Sequence, residues 1–168
     1  IVEMNLPTLS VKGTANGNDG FLFTRTTAAT PADDMIGTLK ISGTATITNR
    51  VFGNTAAYVI PATGGFWLNN PNFTVSPQTG SPTVNGTLRI SSGTYNVGSS
   101  IGNSINFGAN SVYTQEGGTM STVGRFTSFT SASVAAANAM TFTLSGGTLN
   151  VSTVGNTSGT PSFGVYGT

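Results

Sequence analysis

The 168-residue chain reads as all-β, a right-handed parallel β-helix of about five coils. Three observations point there: helix formers are scarce, a glycine-led repeat returns throughout, and apolar and polar residues alternate with period two inside each repeat. Leu, Glu, Lys and Gln are sparse, while Thr, Val, Ile and aromatics dominate the apolar stretches and Gly or Pro interrupts them regularly. Short strands joined by turns follow from that pattern. Short strands at close spacing would also satisfy an antiparallel β-sandwich, which stands as the alternative.

Composition narrows the class further. Charged residues make up 7% of the chain against about 25% in ordinary soluble domains. Gly 23, Ser 18, Thr 29 and Asn 16 supply the polarity instead. A hydrophobic content of 37% with a net charge of +1 separates the chain from disordered sequences, which combine low hydrophobicity with high charge. Without Cys or His there is no disulfide framework, thiolate site, imidazole ligand or histidine-based nucleophile. The six cations, Lys12, Arg25, Lys40, Arg50, Arg89 and Arg125, are scattered singly, so no nucleic-acid partner is expected. No apolar run approaches the ~20 residues of a membrane-spanning helix.

In chain order, residues 1–30 read as an irregular or capping segment and residues 31–168 as solenoid repeats. GTLKISGTATI from Gly37 to Ile47 returns as GTLRISSGTYNV from Gly86 to Val97, 49 residues on. GGFWLN at Gly64, GGTMSTV at Gly117 and GGTLNVS at Gly146 are related. Taking Gly43, Gly65, Gly93, Gly118 and Gly147 as markers gives spacings of 22, 28, 25 and 29 residues, the length of three short strands plus turns. Leu39, Ile41, Leu88, Ile90, Tyr95, Val97, Leu149 and Val151 then face a dry interior. Thr38, Lys40, Thr87, Arg89, Thr94, Asn96, Thr148 and Asn150 face water, and Leu39, Leu88 and Leu149 are expected in one stacked column. Ser131 to Met140 (SASVAAANAM) reads as a small-residue loop.

GGFWLNNPNFTV, NGTLRISSGTYNVG, EGGTMSTVGRF and SGGTLNVS resemble the degenerate repeats of large secreted bacterial β-helical surface proteins, those of the type IX secretion route and autotransporter adhesins. The resemblance covers Gly37 to Val151. It implies an extracellular, outer-membrane-associated location and a structural or adhesive role, with surface glycans, a host or neighbouring cell, or the export machinery as partners. Thr168 follows the last repeat without an amphipathic cap, so the chain reads as a section of something longer, with end-to-end self-association expected of uncapped coils.

Candidate chemistry is thin, and no catalytic, cofactor or metal residue is assigned. Five carboxylates occur, Glu3, Asp19, Asp33, Asp34 and Glu116. Adjacent Asp33 and Asp34 would point to opposite sides of a strand and read as a turn. A polysaccharide-degrading or polysaccharide-binding β-helix is the alternative function, using carboxylates gathered by folding and Trp67, the only Trp. Anchored on Gly64, the alternation puts Phe66 and Leu68 inside and Trp67 outside; anchored on Gly65 it buries the indole. Asn16 to Leu22 resembles one unit of a calcium-binding nonapeptide but lacks neighbouring copies, so it reads as a turn. Thr-x-Thr pairs at Thr24, Thr44 and Thr141 do not recur on every coil, which argues for strand formers rather than an ice-binding array. The segment Pro71 to Pro82 reads as a displayed loop.

Overall fold

The computed structural model describes residues 1–5, 36–49, 51, 58–77, 79–128, 139–155 and 161–166. Among these, every strand pairing is parallel and none lies in a helix, which excludes the sandwich and gives a parallel β-solenoid.

The solenoid has three faces. The first stacks β1 (Val2–Asn5), β2 (Gly37–Ser42), the front of β5 (Gly64–Val75), the front of β7 (Thr87–Val97), β9 (Val112–Gln115) and β12 (Thr141–Leu144). On the second lie β3 (Ile47–Asn49), the back halves of β5 and β7, β10 (Thr119–Thr122) and β13 (Thr148–Asn150). The third carries β4 (Val59–Ile60), β6 (Thr83–Val84), β8 (Ile105–Phe107), β11 (Phe126–Thr127) and β14 (Phe163–Gly164). Because β5 and β7 continue round one corner, the first two faces form a single nine-stranded sheet beside a five-stranded one. The five coils starting at β2 rise through about four turns. β1 adds a further rung beneath β2, in the register Val2 with Leu39 and Met4 with Ile41.

Alternation builds the core as expected. Leu39, Ile41, Phe66, Leu68, Leu88, Ile90, Tyr95 and Val97 are buried, whereas Leu149 and Val151 pack half-buried in the last coil. Toward that end Phe107, Tyr113, Phe126, Phe142 and Phe163 form a chain of ring contacts with centroids 4.6 to 5.7 Å apart, of which the first three are buried. Gln115 and Thr122 are polar residues at inward strand positions. Gln115 stands where Ile90 stands one coil earlier, accepting from the Tyr113 hydroxyl at 2.6 Å and donating to the Thr148 carbonyl at 3.0 Å, so its amide is buried satisfied.

The repeat register needs correction. Leu39, Phe66 and Leu88 do share a column, but Leu149 pairs with Met120, which pairs with Tyr95, so it belongs to the second face. GGTLNVS is therefore equivalent to SSGTYNV and GGTMSTV, not to GTLRIS. Gly65 is not a corner residue: it lies in the first-face ladder between Thr38 and Thr87. Paired positions 38, 65, 87, 112 and 141 make successive coils 27, 22, 25 and 29 residues long.

Corner length causes the mismatch. From the last inward residue of the first face to the threonine opening the second, the chain uses six residues in the first coil (42–47), five in the next (69–73) and three in each of the others. The three-residue corners end on Gly93, Gly118 and Gly147, all at positive φ. A Cβ on Gly93 would sit 2.4 Å from the Asn70 carbonyl of the preceding coil, so backbone approach as well as conformation demands glycine there. In the five-residue corner, buried Asn70 takes over, donating to the Ala45 carbonyl at 3.2 Å and accepting the Asn72 amide at 2.9 Å. Pro71 to Pro82 is consequently not one loop, since Phe73 and Val75 are buried in β5 and only the stretch after them leaves the ladder. Residues 131–138 lie outside the described residues, while Met140 is buried in the core.

Leu88→Ala is expected to lower unfolding free energy by about 2–5 kcal/mol, because it empties a closed site between two coils. Leu149→Ala, at a half-open rung, should lose clearly less, and equal losses in urea titrations would restore the equivalence of the two leucines.

Candidate interaction surface

Folding collects onto the first face charges that are dispersed along the chain. Glu3, Lys40, Trp67 and Arg89 occupy the same outward position on four successive rungs, since Glu3 pairs with Lys40, Lys40 with Trp67 and Trp67 with Arg89. Glu116 follows at the end of β9. Four of the five charged side chains among the described residues therefore lie in one strip.

Trp67 is its centre. Lys40 Nζ lies 4.5 Å from the ring centroid and Arg89 Cζ 4.0 Å, one from the preceding rung and one from the following. Such contacts contribute about 0.5–1 kcal/mol each at exposed sites. Each cation is neutralised on its far side. Lys40 Nζ is 2.8 Å from Glu3 Oε1, which also accepts from the Ser42 hydroxyl at 2.7 Å. Arg89 donates through Nη2 to Glu116 Oε1 at 2.7 Å and through Nε to Oε2 at 3.1 Å, a two-pronged pairing.

A single extra residue completes the strip. The register of β5 against β7 slips between Leu68 and Asn69, leaving Ser91 as a bulge. A bulge re-aims its side chain, and Ser91 Oγ accepts the Trp67 indole N–H at 2.8 Å while donating to Glu116 Oε2 at 2.6 Å. Indole, hydroxyl, carboxylate and guanidinium thus close a ring of contacts around one tryptophan.

The expectation anchored on Gly64 gives the right direction, with Phe66 and Leu68 inside and Trp67 outside. The ring is nevertheless not a bare platform for a sugar, because cations occupy both of its sides. Glu3 and Glu116 cannot serve as a glycosidase pair: four rungs at ~4.8 Å put them about 19 Å apart, and that chemistry needs carboxyls within about 5–9.5 Å. Asp19, Asp33, Asp34 and the Asn16 to Leu22 turn lie outside the described residues. Among the described residues no group of three or more His, Cys, Asp or Glu gathers, and no helix is long and apolar enough to cross a membrane.

The second face is different in kind. Thr48, Thr74, Thr94, Thr119 and Thr148 pair in sequence through all five coils, a continuous outward column. Beside it run Asn96, Ser121 and Asn150, with Asn150 Nδ2 donating to Ser121 Oγ at 3.2 Å. The described outward positions of this face carry no charge. Sequence reading missed both surfaces for one reason: the column and the strip appear only when corner lengths are allowed to vary. The signal was present in GTLK, GGFW and GTLR, which align Lys40, Trp67 and Arg89 once Gly37, Gly64 and Gly86 are superposed.

Arg89 and then Ser91 hold the Glu116 carboxyl below its ordinary value of 4.5, and Lys40 and then Ser42 do the same to Glu3. Both groups therefore bind protons more weakly folded than unfolded, so their contribution is complete above about 4.5 and lost as pH falls below it. Melting temperature should drop between pH 7 and pH 3, and less so in Glu116→Gln; an undiminished drop in that variant would remove Glu116 from the account. Trp67, being the sole tryptophan, reports the strip directly. Acrylamide quenching should rise in Lys40→Ala and further in Lys40→Ala with Arg89→Ala, and unchanged quenching would mean the cations do not cover the ring.

Comparison with protein-family models, curated proteins and solved structures finds no match.

Proposed function

We propose that the chain is a non-enzymatic structural and adhesive segment of an exported cell-surface protein, a rod whose charge-free second face contacts an uncharged, hydroxyl-rich partner such as a surface glycan. The observation that carries this reading is the five-coil threonine column flanked by Asn and Ser, a flat periodic surface repeating at the strand spacing of ~4.8 Å. Threonine hydroxyls and asparagine amides meet sugar hydroxyls as donors or acceptors without the desolvation penalty of a charge. The first-face strip supports the same reading by its completeness, because its cations and carboxylates neutralise one another rather than converge on a substrate. The partner surface and the extracellular location follow from the repeat resemblance together with this polar, weakly charged exterior.

Incubation with a panel of polysaccharides and calcium should release neither reducing ends nor unsaturated products. Turnover abolished by Asp33→Ala or Asp34→Ala would replace the proposal with a polysaccharide-degrading β-helix. Retention on insoluble uncharged glycans should weaken when Thr94→Lys and Thr119→Lys put like charges on adjacent rungs. Absence of retention on every glycan tested would remove the adhesive role.

A further inference from the structure

The two halves of the first-face strip are built alike. Lys40-Ile41-Ser42 and Arg89-Ile90-Ser91 each set a cation and a hydroxyl on either side of a buried isoleucine, and each pair closes on one carboxylate brought up by a neighbouring rung. Ser42 Oγ donates to Glu3 Oε1 at 2.7 Å, the oxygen that Lys40 Nζ approaches at 2.8 Å. Ser91 Oγ donates to Glu116 Oε2 at 2.6 Å, while Arg89 Nη2 reaches Oε1 at 2.7 Å. A cation beside a hydroxyl is a donor set for one oxyanion, so the strip contains two oxyanion clasps, both filled by the chain itself.

Neither occupant is locked in. The Glu3 and Glu116 side chains are 44% and 38% exposed, so each can withdraw into water without opening the core. Lys40 and Ser42 of β2 face Glu3, and Arg89 and Ser91 of β7 face Glu116, to which the next coil adds uncharged Ser145 and Gly146. Arg125, the remaining charged side chain among the described residues, precedes β11 on the third face and belongs to neither clasp. The two cations stand two rungs apart, about 10 Å along the axis, with Trp67 between them.

We propose that the two clasps are an autoinhibited binding site for a sulfated glycan: Glu3 and Glu116 are tethered occupants, and neutralising them hands Lys40, Ser42, Arg89 and Ser91 to the sulfate groups of a chain running along the strip. A sulfate ester presents acceptor oxygens as a carboxylate does but remains ionised in acid, so it keeps its charge where the two glutamates lose theirs. Hydrogen bonds from Arg89 and then Ser91 hold Glu116 below 4.5, and those from Lys40 and then Ser42 do so for Glu3, so exchange begins only below about that pH. Two cations this far apart suit sparse sulfates on a sugar chain. A polynucleotide, with a phosphate at every residue, asks for a denser row of cations than this face carries. The site is separate from the charge-free second face, and loss of neutral-glycan retention would leave it untouched.

Dextran sulfate is the probe, and Trp67, the sole tryptophan, reports its arrival by fluorescence. At pH 7 the double variant Glu3→Gln with Glu116→Gln should bind it about tenfold or more tighter than the unaltered chain, because the freed clasps form charge-assisted hydrogen bonds. Asp33→Asn with Asp34→Asn reaches the same net charge and should show no such gain. Adding Arg89→Met to the double variant should cancel the gain; if circular dichroism finds that protein unfolded, Ser91→Ala takes its place and should reduce it. The unaltered chain should acquire the same binding between pH 5 and pH 3, with no matching rise for polygalacturonate. Three results would overturn the proposal: equal tightening in the Asp33 and Asp34 variant, a gain undiminished by either clasp substitution in a folded protein, or single-stranded DNA binding the double variant as tightly as dextran sulfate.

Discussion

Parallel in-register stacking at ~4.8 Å is the constraint on which the rest of this structure depends. It forces every side chain to live directly above and below its equivalent, so the sequence is restricted to residues that tolerate their own kind. Leu, Ile, Val and aromatic rings do so inside, and Thr, Ser and Asn do so outside. Charges do not, which accounts for a chain of 168 residues that is only 7% charged. Where two cations share one column, the indole of the intervening coil separates Lys40 from Arg89 and a carboxylate closes each end. The order negative, positive, aromatic, positive, negative converts a repulsive column into a cohesive one spanning from β1 to β9.

The same constraint shapes the interior. Gln115 breaks the apolar column of Ile41, Leu68 and Ile90 without leaving an orphaned group, because the Tyr113 hydroxyl and corner carbonyls complete it. Tyr58 and Tyr95 meet hydroxyl to hydroxyl at 2.5 Å, and burial pushes the Tyr95 phenol well above its ordinary 10, so it stays neutral and acts as a packing group with a polar tip. Since each coil touches only its neighbours, stability is distributed along the axis rather than held in one centre.

Fold class was legible because period-two alternation and glycine corners are local patterns, visible in stretches such as GTLRIS without knowledge of any partner. Trp67 was half legible: its direction depends on whether Gly64 or Gly65 opens the strand, and only the pairing of Gly37 with Gly64 decides that. Leu149 was misassigned because Gly146-Gly147-Thr148 looks like Gly86-Thr87 in sequence, whereas its glycines turn a corner and Gly86 opens a face. The strip around Trp67 was invisible for a related reason. Lys40 and Trp67 are 27 residues apart but Trp67 and Arg89 only 22, so no fixed period superposes all three. Ser91, the bulge that ties indole to carboxylate, has no local signature beyond one additional serine.

That variable corner also separates the chain's tolerance for change from its need for order. Corners of six, five and three residues deliver the backbone to the same threonine column, so length can be gained or lost there without disturbing either flanking ladder. The corner is in effect an expansion joint. Extra surface residues at Gly43–Thr46 would leave the faces they adjoin unaltered, whereas buried Asn70 and the glycine-locked corners at Gly93, Gly118 and Gly147 leave no comparable room.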